Sequence, residues 1–389
     1  MRKTWDIFCS VVDNFGDVGV CWRLARQLMT EEQRAVRLWV DDLASLQRIA
    51  PGLDVNPGLD SQNHAGIEVR HWSAPFPAAV APADVVIEAF ACVLPDVFVE
   101  KMASLPAHPA WINLEYLSAE AWVDGAHALP SPHPRLPLKK TFFFPGFTEK
   151  TGGLLRERDL VARRDAFQRD ALAQNAFWAA LGVPARTGGG MDTRINEKRI
   201  SLFSYTNPAL PGLLAAWANG AQRITCLLPD GPGAKQAQDF FASLPAKQYT
   251  RGNLTLHVLP FVPQDDYDKL LWACDVNFVR GEDSFVRAQW AARPFVWHIY
   301  PQQDEAHLPK LEAFLDLYLA GLDPRTKVRI ITLWHGWNRG ALPMGAMGAW
   351  PHFMQGECAI KDHAADWAQR LASRAGLAEN LANYCDNLL

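Results

Sequence analysis

Trp5-Asp6-Ile7-Phe8-Cys9-Ser10-Val11-Val12-Asp13-Asn14-Phe15-Gly16-Asp17, running on into Val18–Leu28, decides the fold. A run of mainly apolar, β-forming residues stops at a turn of Asp, Asn and Gly, and a helical period follows at once. The same strand-turn-helix reading recurs outward from it. In the first half, strands are predicted at Trp5–Val12, Val36–Val40, Ile67–Trp72, Asp84–Phe90, Ala110–Leu114 and Thr141–Phe144. In the second half they are predicted at Ile200–Tyr205, Ile224–Leu228, Leu254–Leu259, Val276–Val279 and Phe295–Ile299. Continuous apolar runs mark strands buried on both faces, and their alternation with helices marks βαβ units and parallel sheets. Five or six strands per half predict an α/β chain of two doubly wound domains, with ligand sites at the carboxyl ends of the strands.

The segment 183–198, with one Pro, a Gly triplet and no apolar period, reads as the joint. It follows a helical stretch at Arg156–Leu181. Near the end, Trp367, Leu371, Leu377, Leu381 and Leu388 keep a helical period. The expected domains are therefore 1–183 and 199–361, with a terminal helix at about 362–389 returning to the first.

The chain has 389 residues, room for two or three domains at ~150 residues each. With 49% hydrophobic residues it has ample apolar material for packed cores, which excludes a wholly disordered chain. Lys plus Arg number 38 against 42 Asp plus Glu, so no global positive field collects nucleic acid. Seven Cys, none in a CxxC pair and most inside apolar runs, disfavour a zinc ribbon or a secreted disulfide framework. They read as reduced thiols of a cytoplasmic protein. Asp6 interrupts any signal-peptide core, and the apolar region around 76–99 carries Asp84, Glu88 and Asp96, so neither secretion nor a membrane span is expected.

Four strand-to-helix turns can carry chemistry. Asp13 and Asp17 flank the first, which matches neither GxGxxG nor a P-loop. They serve either as turn and helix-start residues or as acids facing a cationic, proton-donating substrate. Arg280-Gly281-Glu282-Asp283-Ser284 follows the run ending at Val279 and opens a helix, where Asp283 or Ser284 can cap and free N–H groups can hold an anion. Arg280 there either serves an anion or pairs with Glu282 or Asp283. Pro260-Phe261-Val262-Pro263-Gln264 offers a ring for base stacking and a backbone for its edge. Tyr205, at the close of the strand 200–205, is either a phosphate contact or a half-buried strand-end residue. No HExxH or GxSxG is present, and no metal site is expected.

Longer stretches carry a resemblance: 5–17, 85–92 (Val-Val-Ile-Glu-Ala-Phe-Ala-Cys), 113–120 (Asn-Leu-Glu-Tyr-Leu-Ser-Ala-Glu), 146–154, 260–264, 280–289 and 297–302. Together they resemble the elongation factor P arginine rhamnosyltransferases. The resemblance implies a GT-B glycosyltransferase, with two Rossmann-like domains facing each other across a cleft. It implies dTDP-β-L-rhamnose as donor, an arginine of elongation factor P as acceptor, inversion at the sugar and no cofactor. It places Asp17 as general base, with Asp13 as the second acid of the pair. Glu282, Asp283 and Ser284 match the donor-binding motif, with Glu282 also close to the chemistry. Tyr205 matches a phosphate contact, and Phe261 and Gln264 match the thymine pocket. Asn14, Phe15 and Gly16, between the two acids, fall on the donor side. Asp13, Glu115 or Glu282 would hold the acceptor guanidinium. The alternatives are a GT-B enzyme with another donor or acceptor and a non-catalytic module that binds a translation factor.

Overall fold

The computed structural model describes all residues except 1–2, 13–14, 57, 187–196, 242–245 and 345–347. It divides into two compact units, Met1–Arg158 with Ala372–Leu389, and Asp159–Leu371.

In the first unit the chain runs β1 (Thr4–Cys9), α1 (Gly16–Thr30), β2 (Ala35–Val40), α2 (Leu43–Ile49), β3 (Gln62–His64), β4 (Ile67–His71), β5 (Val85–Ala89), α3 (Asp96–Ser104), β6 (Ala110–Leu114), α4 (Val123–Ala126), β7 (Pro130–Pro132) and β8 (Lys139–Phe143). The sheet order is β3-β4-β2-β1-β5-β6-β8-β7, parallel throughout its centre. The chain leaves β1 toward β2 and returns to β5 on the other side. The gap between the carboxyl ends of β1 and β5 is thus the switch point where doubly wound sheets bind ligands. Below it, Phe8, Trp39, Val86, Phe98 and Met102 form one apolar cluster. Asp6 is buried in the middle of β1 because Arg37 grips it with two bonds of 2.5 and 2.8 Å, while Trp39 Nε1 and the Ala83 N–H also donate to it.

The second unit begins with α5 (Leu160–Arg169) and α6 (Ala171–Ala180) and continues with β9 (Lys198–Leu202), α7 (Leu210–Asn219), β10 (Ile224–Pro229), α8 (Pro232–Phe241), β11 (Gln248–Arg251), β12 (Leu254–Leu259), α9 (Gln264–Ala273), β13 (Val276–Arg280), α10 (Asp283–Trp290) and β14 (Phe295–His298). Its sheet order is β11-β12-β10-β9-β13-β14. The switch point lies between β9 and β13, which pair in parallel. Helices α11 (Leu308–Tyr318), α12 (Pro324–Asn338), α13 (Ala349–Met354) and α14 (Glu357–Ala372) complete it, and α15 (Leu377–Leu388) belongs to the first unit.

Every strand expected from the sequence is present, within a few residues at each end. The added strands β3, β7 and β11 pair antiparallel at sheet edges. Two boundaries differ from expectation. The first unit ends at Arg158, not at 183, because the helical stretch 160–181 fills the underside of the second sheet. Phe167 packs on Trp272 at 5.9 Å, and Gln168 donates to the carbonyls of Trp272 and Ala291. Asp170 also splits that stretch, accepting from the N–H groups of Leu172 and Ala173 at the start of α6. The terminal helix is likewise two helices. Only α15 returns to the first unit, where Asp386 meets Lys3 and Arg34, whereas α14 stays in the second through Trp367 Nε1 and Gln289. Most of the expected joint lies outside the described residues. No helix among the described residues is long and apolar enough to cross a membrane.

Candidate functional site

Because the central strands are parallel, the turns after them gather at one edge of each sheet. In the first unit Ser10 and Val12 follow β1, Asp41 follows β2, Trp72–Ala74 follow β4, Phe90–Val93 follow β5 and Tyr116 follows β6. These residues line one cavity of about 480 Å³.

Asp17 stands in the first turn of α1 and is 3% exposed. It does not cap the helix; Phe15 occupies that position without a side-chain bond. Instead the Asp17 carboxylate reaches back to the loop. Oδ2 accepts from the Val12 N–H at 2.9 Å, and Oδ1 accepts from the Tyr116 hydroxyl at 3.3 Å. Asp13 and Asn14 lie outside the described residues. Gly16 opens α1, and the Phe15 ring carries the Arg48 guanidinium 5.4 Å from its centroid. Glu115 accepts from Asn113 Nδ2 at 2.7 Å, next to Tyr116.

Tyr116 was not singled out by sequence reasoning, nor was what holds it. Phe90 and Ala91 both adopt left-handed backbone conformations, with φ of 57° and 55°. Such conformations cost non-glycine residues of order 1–3 kcal/mol each and persist where their surroundings impose them. The Phe90 N–H donates to the Leu114 carbonyl at 2.7 Å and the Ala91 N–H to Asn113 Oδ1 at 3.3 Å. The bend stacks the Phe90 ring on Tyr116, with centroids 4.5 Å apart and planes 20° apart. Beneath them Glu88 is buried against Lys140 at 2.5 Å and Trp111 Nε1 at 3.1 Å; burial raises its pKa, against the pull of Lys140. Cys92, on the cavity wall, is held as a thiol by burial, which pushes its pKa up.

In the second unit Arg280 ends β13 and Gly281 turns with φ of 60° into α10. Glu282 occupies the cap position, half-buried and without a side-chain cap bond, and Asp283 is the first helical residue. Ser284 does not cap either. Its buried hydroxyl accepts from the Arg280 N–H at 3.1 Å and donates to the Arg280 carbonyl, pinning the turn. Arg280 pairs with neither Glu282 nor Asp283. Its guanidinium lies 4.4 Å from the ring centroid of Phe203 and 4.6 Å from that of Tyr205. Tyr205, half-buried in the turn after β9, also meets His298 and Tyr300 edge-on. His298 closes β14; burial first, then Arg280 and His307, lowers its pKa to about 4, so the ring is neutral at pH 7. Gln264 is buried at the start of α9 with Nε2 3.5 Å from Asp283 Oδ2, which joins the Phe261 turn to the α10 turn. Phe261 is half-buried two residues beyond β12.

The structure thus gathers Tyr205, Glu282, Asp283 and Ser284 at the β9/β13 switch point and sets Asp17 at the β1/β5 switch point. Among the described residues no three His, Cys, Asp or Glu side chains are grouped to hold a metal ion.

Comparison with known proteins identifies the family. The family model described as elongation factor P (EF-P) rhamnosyltransferase EarP matches residues 5–386. A protein-arginine rhamnosyltransferase of Pseudomonas putida is 50% identical over all of both chains. One from Neisseria meningitidis is 36% identical over 97% of this chain and 96% of its own. A structure solved for EarP-mediated arginine glycosylation of translation elongation factor EF-P is similar with a TM-score of 0.70 and 38% identity, over all of both chains. Spinosyn forosaminyltransferase, at a TM-score of 0.50 and 11% identity over 100% of this chain and 99% of its own, shares the fold alone.

Proposed function

The chain belongs to the EarP family of EF-P rhamnosyltransferases and is a protein-arginine rhamnosyltransferase of the GT-B class, and from that premise we propose that it moves L-rhamnose from dTDP-β-L-rhamnose to one arginine of elongation factor P in the cytoplasm, with inversion. The observation that carries the reading is the buried Asp17 carboxylate, aimed by the Val12 N–H and the Tyr116 hydroxyl at the first sheet's switch point.

Arginine is a reluctant nucleophile. Its guanidinium pKa exceeds ~12, and its nitrogens donate but do not accept. A carboxylate cannot deprotonate it in advance. Asp17 instead accepts a hydrogen bond from the attacking nitrogen and takes the proton as the nitrogen bonds to the anomeric carbon. The bond from that carbon to the diphosphate oxygen breaks on the opposite face, and the electron pair leaves with dTDP. Asp13, Glu115 or Glu282 holds the guanidinium against rotation.

The donor belongs to the second unit in this reading. Phe261 and Gln264 take the thymine, Glu282 takes the sugar or ribose hydroxyls, and the diphosphate lies at the start of α10 with Tyr205, Asp283 and Ser284. Asn14, Phe15 and Gly16 are assigned to the donor as well. Arg280 supports the assignment, because it forms no ion pair among the described residues and stands at the same turn. Free helix N–H groups and this cation offset the charge developing on dTDP, so we read the transfer as independent of a divalent metal. Incubation with elongation factor P and dTDP-rhamnose, followed by intact mass, tests the whole: one deoxyhexose gained is expected, and turnover persists in EDTA. An unmodified acceptor sinks the reading, and activity lost in EDTA but restored by Mg²⁺ sinks its metal-free part. Gain from a different nucleotide sugar in the same assay would name another donor.

A further inference from the structure

We infer that the cavity at the carboxyl edge of the first sheet is an acceptor subsite for a second cationic side chain, one flanking the arginine that is modified. The inference rests on the function proposed above and adds to it the chemistry by which the acceptor is recognised.

Trp72, Phe90 and Tyr116 give the cavity aromatic walls, Ser10 and Ser73 add hydroxyls, and no Lys or Arg among the described residues lines it. Among the described residues its one lining carboxylate is Asp41, which is exposed. Asp41 accepts from the Ser10 hydroxyl at 2.5 Å and from the Val11 N–H at 2.9 Å, and meets no cation at ion-pair distance among the described residues. A carboxylate beside aromatic faces suits a guanidinium or an ammonium, which can pair with the one and lie over the other. The volume, about 480 Å³, falls in the range of ligand pockets, ~300–1,000 Å³, and admits a long side chain with its backbone.

The reacting arginine is not the occupant. Asp17, which it must reach, is absent from the cavity wall and lies buried behind Val12 and Tyr116. The cavity therefore offers a different carboxylate, tied to the same loop through Ser10 and Val11. A cation seated on Asp41 would register the acceptor loop beside Asp17. The left-handed pair Phe90-Ala91 holds open the wall that this requires.

The test uses the full chain with elongation factor P at saturating donor, in two variants. Asp41→Asn keeps an acceptor for the Val11 N–H but removes the charge, and Ser73→Trp fills the cavity from an exposed wall position without touching the loop. Both are expected to raise the acceptor KM about tenfold or more, with kcat and donor affinity by calorimetry near wild type. Replacing the cationic residues beside the target arginine by Gln, one at a time, is expected to find one that abolishes the effect of Asp41→Asn. An unaltered acceptor KM in Ser73→Trp overturns the inference. So does a fall in kcat alone in both variants, which would put the reacting arginine itself in the cavity. If the wild-type chain leaves elongation factor P unmodified, the functional reading falls first and takes the subsite with it.

Discussion

Asp17 carries the argument at the scale of single residues. Its place in a loop-to-helix turn was legible, because Asp, Asn and Gly after an apolar run mark such a turn. What distinguishes it from an ordinary helix-start acid was not. The Tyr116 hydroxyl that holds it comes from 99 residues away, and no local pattern announces such a contact. Nor could the left-handed Phe90 and Ala91 be foreseen, since neither is the Gly that usually signals that conformation. Two substitutions separate the roles. Asp17→Asn keeps the shape and removes the proposed base, so kcat should fall by roughly 10²–10⁴ while calorimetric donor affinity stays near wild type. Tyr116→Phe keeps the ring stacked on Phe90 and removes one charge-assisted bond, worth ~1.5–3 kcal/mol. It should lower kcat about tenfold or more with donor affinity unchanged; full activity in Tyr116→Phe would show that the hydroxyl does not position Asp17.

Among the elements, buried strands were the most legible and edges the least. Apolar runs such as Ile224–Leu228 and Val276–Val279 have no polar alternative inside a sheet covered on both faces. Strands β3, β7 and β11 have three or four residues each, mostly polar or Pro, and form only because a neighbour offers an edge. The turn at β13 and α10 shows how elements build the proposed donor site. Arg287, buried in α10, holds Asp268 of α9 with bonds of 2.8 and 2.6 Å, fixing the helix that carries Asp283 and Ser284. Arg287→Met would take this charge-assisted pairing from a buried carboxylate, and urea unfolding should show a loss of about 3–5 kcal/mol. Asp268→Leu together with Arg287→Met should recover part of that loss, because the buried carboxylate is removed along with its guanidinium. Ser284→Ala should act differently. It loosens the Arg280 turn, so calorimetry should show weaker donor binding, with stability lowered far less than by Arg287→Met; unchanged donor affinity would remove Ser284 from the proposed donor site.

On the scale of the whole molecule, the division into two doubly wound units was legible from strand count alone, while the boundary was not. Helices α5 and α6 read as the end of the first domain because the Gly-rich segment follows them, yet their aromatic side chains are used by the second. Packing, not composition, assigns a helix to its unit. The same packing sets a response to pH. Burial lowers the pKa of His127, His257, His298, His307 and His363, and that of His298 reaches about 4 against an ordinary 6.5. These rings are favoured neutral in the folded chain, whereas the unfolded chain takes up their protons near pH 6.5. The unfolded state therefore binds more protons, and stability rises with pH across this window. The contribution of His298 is fully present above about pH 6.5 and is lost as pH falls toward 4, to a limit of about 3 kcal/mol. Glu31 and Glu88, whose pKa values burial raises, oppose this trend with the reverse sign. With five histidines against two carboxyls, Tm measured by calorimetry should fall between pH 7 and pH 5. His298→Gln, which cannot titrate, should shrink that fall whatever it does to the absolute Tm. An equal fall in wild type and variant would mean that His298 is protonated as readily in the folded chain as in the unfolded one.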